Sequence, residues 1–427
     1  MKNINLSLLD NFEFIGKWWL SEFPEDVVAG RISYSAHDSI LLELIGRFDQ
    51  IDSDNPIDPT IMLGISTEGH LFTLIDCMLV GSRRGYPGFE TQHFESRYLM
   101  VGHHFNTKSD LQFSSFAVSY EHLEEWYGER LYKTDLLNTE GFFSGYNVKF
   151  ERPKPVDIPL PSRKGVLNIS FAFNNAEERN RSFTIKNQAF LVVRPFASQE
   201  LDWFNRFFFD IERFLIFTFT SVTFPRRIEV YIDIGGENRK RIDIFRIYEK
   251  RKSKDIYRWE MLLAYPQLAT DFPAILNRWL INIEEARPAY DLFFSYLYKP
   301  DNYLEFKFLA LAQALESYHR SIKGKNYSRR KKVSLRERLE DLFSDLETSL
   351  QDLVSPDYAT LISEIIATRN YFTHYDEKGK KKSLSYQEMI VACKRMQVFL
   401  TILFLRQLEI DSQIIIERVS KNKRLRL

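Results

Sequence analysis

The sequence has little cysteine. Its 427 residues include only Cys77 and Cys393, which lie in apolar segments far apart in the chain. Two cysteines exclude the disulfide framework of a small secreted protein, and no Cys/His spacing is typical of a structural zinc site. We therefore expect a protein that uses neither a metal nor a cofactor.

Long apolar runs are also missing. The first residues, MKNINLSLLDNFEF, lack the apolar core of a signal peptide. The most apolar windows, residues 214–224 and 398–405, are well short of the roughly 20 residues that span a bilayer. The sequence predicts a soluble, cytoplasmic protein without membrane contact. Because segment 398–405 is apolar on all sides, we expect its helix to be central or to lie in a subunit interface.

The chain has no net charge, since 58 Lys and Arg balance 58 Asp and Glu. The charges are unevenly spread, however. Residues 301–427 hold 23 basic against 17 acidic residues, so residues 1–300 hold 35 against 41. The basic excess near the C-terminus favours contact with a polyanion in that part of the chain.

The length predicts two or three domains, and 36 Phe with 21 Tyr can build large cores. Residues 1–198 contain many short runs of β-branched and aromatic residues, which favour an antiparallel sandwich or barrel. Residues 199–300 are a mixed α/β continuation or connector, and the boundary lies at Lys299-Pro300-Asp301. Residues 301–427 are helical. The predicted fold class is therefore α+β.

The helical region has clear start signals. Capping boxes are predicted at Asn302/Glu305, Ser334/Glu337 and Ser385/Glu388, and Ser355 is predicted to cap a helix with Pro356 at its first position. The pattern predicts a four-helix bundle with one short extra helix. The predicted helices are 303–321, 334–351, 356–375, 385–408 and 411–419.

The third helix carries an unusual set of polar residues. Arg369 lies within its apolar stripe, between Ile365 and Phe372. A guanidinium that faces a packed interior is costly unless it is paired or functional. His374 lies five residues on, about 140° around an ideal helix, and Asn370 shares its face. On spacing alone, Arg369 could instead pair with a buried carboxylate such as Glu316, and His374 could be a solvated helix-end residue.

The pattern R-N-x-x-x-H near the end of a third bundle helix, followed by a Lys-rich loop, resembles the HEPN superfamily. The segment FLALAQALESYHR (308–320) resembles the opening helix of the ApeA-like HEPN domain, and residues 1–300 are similar in layout to the N-terminal region of ApeA proteins. The resemblance implies an all-α HEPN bundle with Arg369, Asn370 and His374 as catalytic residues. It also implies anti-phage defence by abortive infection, with residues 1–198 as the sensor or regulator of the HEPN bundle.

The implied activity is metal-independent RNA cleavage. In RNA the 2′-OH can attack the adjacent phosphate, a histidine can take its proton, and an arginine can hold the developing charge. The expected products are a 2′,3′-cyclic phosphate and a 5′-OH. The expected partners are an RNA substrate, with tRNA as one candidate, a second copy in a homodimer or higher oligomer, and a phage-derived protein as trigger.

Further polar residues have two interpretations each. Glu316 and His319, one turn apart on the first bundle helix, could support the cleft or form a surface ion-pair cluster. Two basic runs could bind RNA phosphates or be solvated loops: Arg329, Arg330, Lys331 and Lys332, and Lys380, Lys381 and Lys382.

A second class of function also fits the sequence. The helical region could be a non-catalytic module that only dimerises, while the β-rich region recognises a protein or glycan. An intact Arg369, Asn370 and His374 set favours the ribonuclease, because a module without catalysis has no need to keep all three.

Overall fold

The computed structural model describes residues 6–51, 58–83, 87–129, 132–173, 177–179, 182–184, 186–235, 238–248, 255–324, 333–375 and 377–426. The chain forms two compact units. The β unit comprises residues 1–124, 129–208 and 223–252; the helical unit comprises residues 125–128, 209–222 and 253–427. These units divide the 199–300 range between them, and the three predicted domain ranges remain a prediction.

Six antiparallel strands of the β unit close into a barrel. They are β1 (Phe12–Leu20), β2 (Phe23–Tyr34), β3 (Ile40–Ile45), β4 (Ile61–Ser66), β5 (Leu71–Arg83) and β6 (Thr91–Val101). Around the ring the order is β1, β2, β3, β6, β5, β4 and back to β1. The barrel confirms the predicted α+β class with a β-rich, barrel-like N-terminal region.

The sheet continues beyond the barrel because β6 also pairs with β18. From there the order is β18, β17, β8, β15, β12 and β11, and three further strand pairs are β9 with β10, β13 with β14, and β7 with β16. The bounds are β7 (Gln112–Phe113), β8 (Ser115–Tyr120), β9 (Tyr132–Thr139), β10 (Phe142–Phe150), β11 (Val156–Leu160), β12 (Gly165–Phe173), β13 (Glu177–Arg179), β14 (Ser182–Thr184), β15 (Asn187–Pro195), β16 (Gln199–Glu200), β17 (Pro225–Asp233) and β18 (Arg239–Phe245).

Aromatic residues fill the core of the β unit. Trp18 is fully buried in the barrel, and a Cβ at Gly64 would lie only 2.2 Å from the Trp18 ring, so this position requires glycine. Outside the barrel, Phe116 of β8 stacks on Phe204, with ring centroids 5.0 Å apart. Phe204 belongs to the helix Leu201–Phe219, so the start of this helix covers one face of the extended sheet.

The helices are α1 (Leu123–Tyr127), α2 (Leu201–Phe219), α3 (Tyr265–Leu268), α4 (Phe272–Glu285), α5 (Arg287–Tyr298), α6 (Leu304–Ile322), α7 (Leu335–Ser344), α8 (Thr348–Val354), α9 (Tyr358–His374), α10 (Glu377–Lys380), α11 (Tyr386–Gln407) and α12 (Ser412–Lys421). Helix α6 contacts α7, α9 and α11, and α8 contacts α11. These elements form the predicted bundle. Its predicted second helix, 334–351, is two helices in the structure, because the helical conformation is interrupted between Ser344 and Thr348.

The apolar segment 398–405 of α11 is the centre of the helical unit. All eight of its residues are buried within one chain. Phe404 stacks on Tyr290 with ring centroids 4.2 Å apart, and Phe399 stacks on Phe343 at 4.0 Å. Of the two predicted locations, the central one is correct, and this segment has no surface left to form a subunit interface. No helix among the described residues is long and apolar enough to cross a membrane.

Candidate active site

Helix α9 presents the R-N-x-x-x-H motif in its last two turns. Its N-terminus is capped by Asp357, whose Oδ1 accepts a hydrogen bond from the Thr360 N–H at 3.0 Å. The predicted cap at Ser355 is therefore wrong, and the helix begins two residues later than expected. At the other end, Tyr375 adopts a left-handed conformation with φ of 52°, and its N–H binds the Tyr371 carbonyl at 2.6 Å. This ends the helix directly after His374.

Arg369 lies at the edge of the core rather than inside it. Its side chain is 32% exposed, and its Nη2 is 3.8 Å from Oε2 of Glu316, which is only 9% exposed. Glu316 also binds Arg320, one turn along α6. One buried carboxylate thus holds two guanidiniums, which leaves one positive charge in excess at this point. The ion pair with Glu316 is the alternative that spacing allowed, and the exposed third of Arg369 can still reach a ligand.

Asn370 and His374 are both exposed to solvent. Arg369 donates a hydrogen bond from Nη1 to Oδ1 of Asn370 at 3.3 Å, so the Asn370 amide N–H groups remain oriented away from that contact. The motif therefore offers a guanidinium, an amide and an imidazole to solvent at one end of α9. The guanidinium and the amide can donate hydrogen bonds to phosphate oxygens, and the imidazole can accept a proton.

His319 is fully buried and links α6 to α7. Its Nε2 is 2.8 Å from Oδ2 of Asp341, and its Nδ1 is 3.0 Å from Nη1 of Arg338. Because arginine can only donate, Nδ1 accepts and Nε2 carries the hydrogen that it gives to Asp341. Asp341 and Arg338 were missed by sequence reasoning, since no spacing along α7 shows which buried histidine they face. The supporting role of His319 at the cleft remains a prediction.

Acid should destabilise the helical unit through His319. Burial is the main cause that lowers the pKa of this imidazole, and Arg338 and Lys323 lower it further against the opposing effect of Asp341. Since the folded pKa lies below the unfolded value of 6.5, the unfolded state binds more protons in this range. The free energy of unfolding should therefore fall as pH drops below about 6.5.

Urea unfolding at a series of pH values, comparing wild type with His319→Gln, measures this. The variant should have a shallower acid slope than wild type. Equal slopes for wild type and His319→Gln would contradict the assignment of acid sensitivity to His319.

The two basic runs differ in what the structure shows. Arg329, Arg330, Lys331 and Lys332 lie outside the described residues. Lys380, Lys381 and Lys382 follow α9 closely and are exposed. Among the described residues there is no group of three or more His, Cys, Asp or Glu that could hold a metal ion.

Two family models match separate parts of the chain. Residues 13–279 match ApeA N-terminal domain 1, and residues 309–414 match the Apea-like HEPN domain. No curated protein and no solved structure matches the chain. The second match contains α9 with Arg369, Asn370 and His374, and also Glu316 on α6. The first match alone spans more than half of the sequence, so the chain belongs to the ApeA family and carries an ApeA-like HEPN domain at its C-terminus.

Proposed function

We propose that this protein is an RNA endonuclease of anti-phage defence, which acts in the bacterial cytoplasm by abortive infection when a phage-derived protein triggers it. One observation carries the proposal. At the end of α9, Arg369 is held by a buried carboxylate yet partly exposed, and the exposed Asn370 and His374 accompany it. The membership of the ApeA family and the HEPN match support the same function.

In the proposed mechanism, His374 removes the proton of the RNA 2′-OH. The 2′-oxygen then bonds to the adjacent phosphorus, and the bond from phosphorus to the 5′-oxygen breaks. Arg369 binds the non-bridging oxygens as negative charge builds on them, and Asn370 keeps the guanidinium in place through their mutual hydrogen bond. The 5′-oxygen leaves as a hydroxyl after it takes a proton from water, and His374 then releases its proton to the resulting hydroxide. The step requires no metal, because the nucleophile is part of the substrate.

Sequencing of RNA ends tests the proposal. Wild type and His374→Ala are expressed in bacteria that are challenged with phage, and fragments that end in a 2′,3′-cyclic phosphate are mapped. Wild type should produce new sites with such ends, and the variant should not.

For sites found this way, purified protein should spare a synthetic RNA with a single 2′-deoxy substitution at the cleaved nucleotide. Cleavage of that substrate, or the same fragments from both proteins in cells, would exclude the mechanism. The same fragments from both proteins would favour the non-catalytic binding module, whereas cleavage of the 2′-deoxy substrate would indicate a nuclease with a different nucleophile.

Replacement of Lys380, Lys381 and Lys382 by glutamine should weaken RNA binding and its dependence on salt. Each phosphate contact to single-stranded RNA contributes roughly 0.7 to the slope of log K against log salt, so the slope should fall by at most about 2. Equilibrium binding at several salt concentrations with inactive His374→Ala protein measures it. The matched control replaces three exposed lysines of the β unit, Lys17, Lys133 and Lys149. A slope equal to that of the control would mean that the Lys380–Lys382 segment is merely solvated.

A further inference from the structure

The β unit carries a buried network of charges on one face of its extended sheet. Arg227 of β17 binds Oε1 of Glu229 through Nε at 2.8 Å and Oδ1 of Asp243 through Nη2 at 3.0 Å. All three side chains are more than nine-tenths buried. Tyr231 donates its hydroxyl hydrogen to Oε2 of Glu229 at 2.6 Å. Arg227, Glu229 and Tyr231, at alternate positions of β17, thus place three polar groups on one face.

Such a network is a weak source of stability. The desolvation of buried charges consumes much of the attraction between them, and apolar residues of the same volume often serve a core better. Burial is the main cause that raises the pKa of Asp243, and Arg227 and Arg241 oppose the shift. The other face of the same sheet is an ordinary apolar core, where Phe116 packs on Phe204. The polar face therefore contributes less to stability than the apolar face does.

A cavity of about 360 Å³ lies over this face. Ala117 of β8 forms its floor, because this small residue is flanked by Val192 of β15 on one side and Glu229 on the other. Phe190 and Val192 make one wall, and Glu229 and Tyr231 make the opposite wall. The register of the strands places all of these residues on the same face. The cavity therefore has an apolar side and a charged side, and its volume falls within the range of small-molecule sites.

Two further arginines line the cavity. Arg241 of β18 is 25% exposed, with its Nη1 3.7 Å from Glu229 and its Nη2 3.4 Å from Oδ2 of Asp243. Arg152, in the segment after β10, is exposed. With Arg227 they give three positive charges against the two carboxylates, so the site has an excess of one. Guanidinium groups match the geometry of phosphate and carboxylate oxygens.

Strand β8 also carries a buried polar side chain without a hydrogen-bond partner among the described residues. Ser119 lies two residues from Ala117 on the same face, opposite Arg227 across the strand pair. It is fully buried, and its Oγ has no hydrogen-bond partner among the described residues. Buried hydroxyl groups are normally satisfied, but Ser119 does not line the cavity and therefore gives no evidence about its occupant.

We propose that this cavity binds a small organic oxyanion, a phosphate or carboxylate group on a ring or other apolar body. Arg152 and Arg241 bind the oxyanion, and Phe190 and Val192 contact the body. Glu229 and Asp243, held by Arg227, keep Arg241 in place. The site lies wholly within the β unit and does not depend on the ribonuclease function of the helical unit.

Calorimetric titration of the full-length protein with three probes tests this site: phenyl phosphate, phenylacetate and uncharged benzyl alcohol. At least one of the two anions should bind, and benzyl alcohol should not. Tighter binding of phenyl phosphate would identify a phosphate ligand, and tighter binding of phenylacetate a carboxylate. Arg152→Gln should raise the Kd of the bound anion by about tenfold or more, since a charge-assisted hydrogen bond is lost.

The matched control is Arg206→Gln, which removes an exposed arginine of α2 and should leave the Kd unchanged. Arg241→Gln should weaken binding as Arg152→Gln does. Because Arg241 contacts the buried network, its thermal unfolding is measured in parallel. Because Arg152 is exposed, Arg152→Gln is expected to leave folding intact. The Kd of this variant therefore decides whether the site exists. Three outcomes overturn the site: no binding of either anion at millimolar concentration, equal binding by wild type and Arg152→Gln, or benzyl alcohol binding as tightly as the anions.

Discussion

His374→Ala and Arg369→Ala should each lower RNA cleavage by at least about a hundredfold, because a general base and a phosphate-binding donor each contribute 10² or more to such rates. The effect should appear in kcat rather than in KM, since both groups act most strongly in the transition state. Cleavage of a labelled RNA without added metal measures it. The matched control is Ser363→Ala, which removes an exposed polar group from the same helix and should keep full activity.

Neither variant should unfold the protein. His374 is exposed in the last position of α9. Arg369 is partly exposed, and Glu316 still binds Arg320 after Arg369 is lost, so the cost to stability should be about 1 kcal/mol or less. Circular dichroism and urea unfolding check this. Unchanged cleavage by either folded variant contradicts the nuclease assignment, whereas unfolding of Arg369→Ala would favour a structural ion pair.

Local signals in the sequence predicted the starts of two bundle helices correctly. The capping boxes at Ser334/Glu337 and Ser385/Glu388 are present, because each is formed within four consecutive residues. Ser355 failed as a cap although Pro356 follows it. The Ser355 hydroxyl instead donates to the Asp357 carbonyl at 3.0 Å, and Asp357 takes over the capping. The choice between Ser355 and Asp357, two cap candidates separated by one residue, depends on backbone geometry that composition does not contain.

The pairing of strands that are distant from one another in the chain could not be predicted from the sequence. The short β-rich runs predicted a sandwich or barrel, but closure depends on β6 pairing with β5 along one edge and with β3 and β18 along the other. The charged face of β17 left a signal in the alternation of Arg227, Glu229 and Tyr231, which is typical of one polar face on a strand. Asp243, the partner of Arg227, lies on the next strand, β18, and the apolar wall of the cavity lies on β15. Only the register brings them together.

The candidate site shows the same division between local and non-local information. The motif on α9 and its helix were predictable, as was Glu316 as a partner of Arg369. The exposure of Arg369 could not be predicted. Helical periodicity places a residue on one face of its helix but does not show how far the neighbouring helices cover that face. The buried segment 398–405 was ambiguous for a related reason. A helix that is apolar all round can be covered by its own chain or by a second copy.

Activity should require a dimer formed through the helical unit. Arg369 and His374 lie in one continuous helix, where five residues correspond to about 140° of rotation and ~7.5 Å of rise. Side chains that diverge in this way close poorly on one phosphate. A twofold axis beside two copies of α9 would allow Arg369 of one copy and His374 of the other to face the same cleft.

The surface for such an interface must lie outside segment 398–405, which is buried in each chain. The first half of α11 offers one, since Tyr386, Ile390 and Val391 are exposed apolar residues. Ile390 and Val391 are each nearly half exposed, on the helix that follows the Lys380–Lys382 segment. Ile390→Asp together with Val391→Asp should therefore give a monomer with little cleavage activity, as measured by light scattering and the RNA assay.

Mixing two inactive variants tests the shared cleft directly. In a dimer of Arg369→Ala with His374→Ala, one cleft receives both intact groups and the other receives neither. Random exchange makes half of the dimers mixed, so cleavage should recover to about a quarter of the wild-type rate. Each variant mixed with itself is the control and should stay inactive. If subunit exchange is demonstrated and no activity returns, Arg369 and His374 of the same chain form the cleft. A fully active monomer at the assay concentration would exclude a shared cleft altogether, because a single chain would then supply every group that the reaction needs.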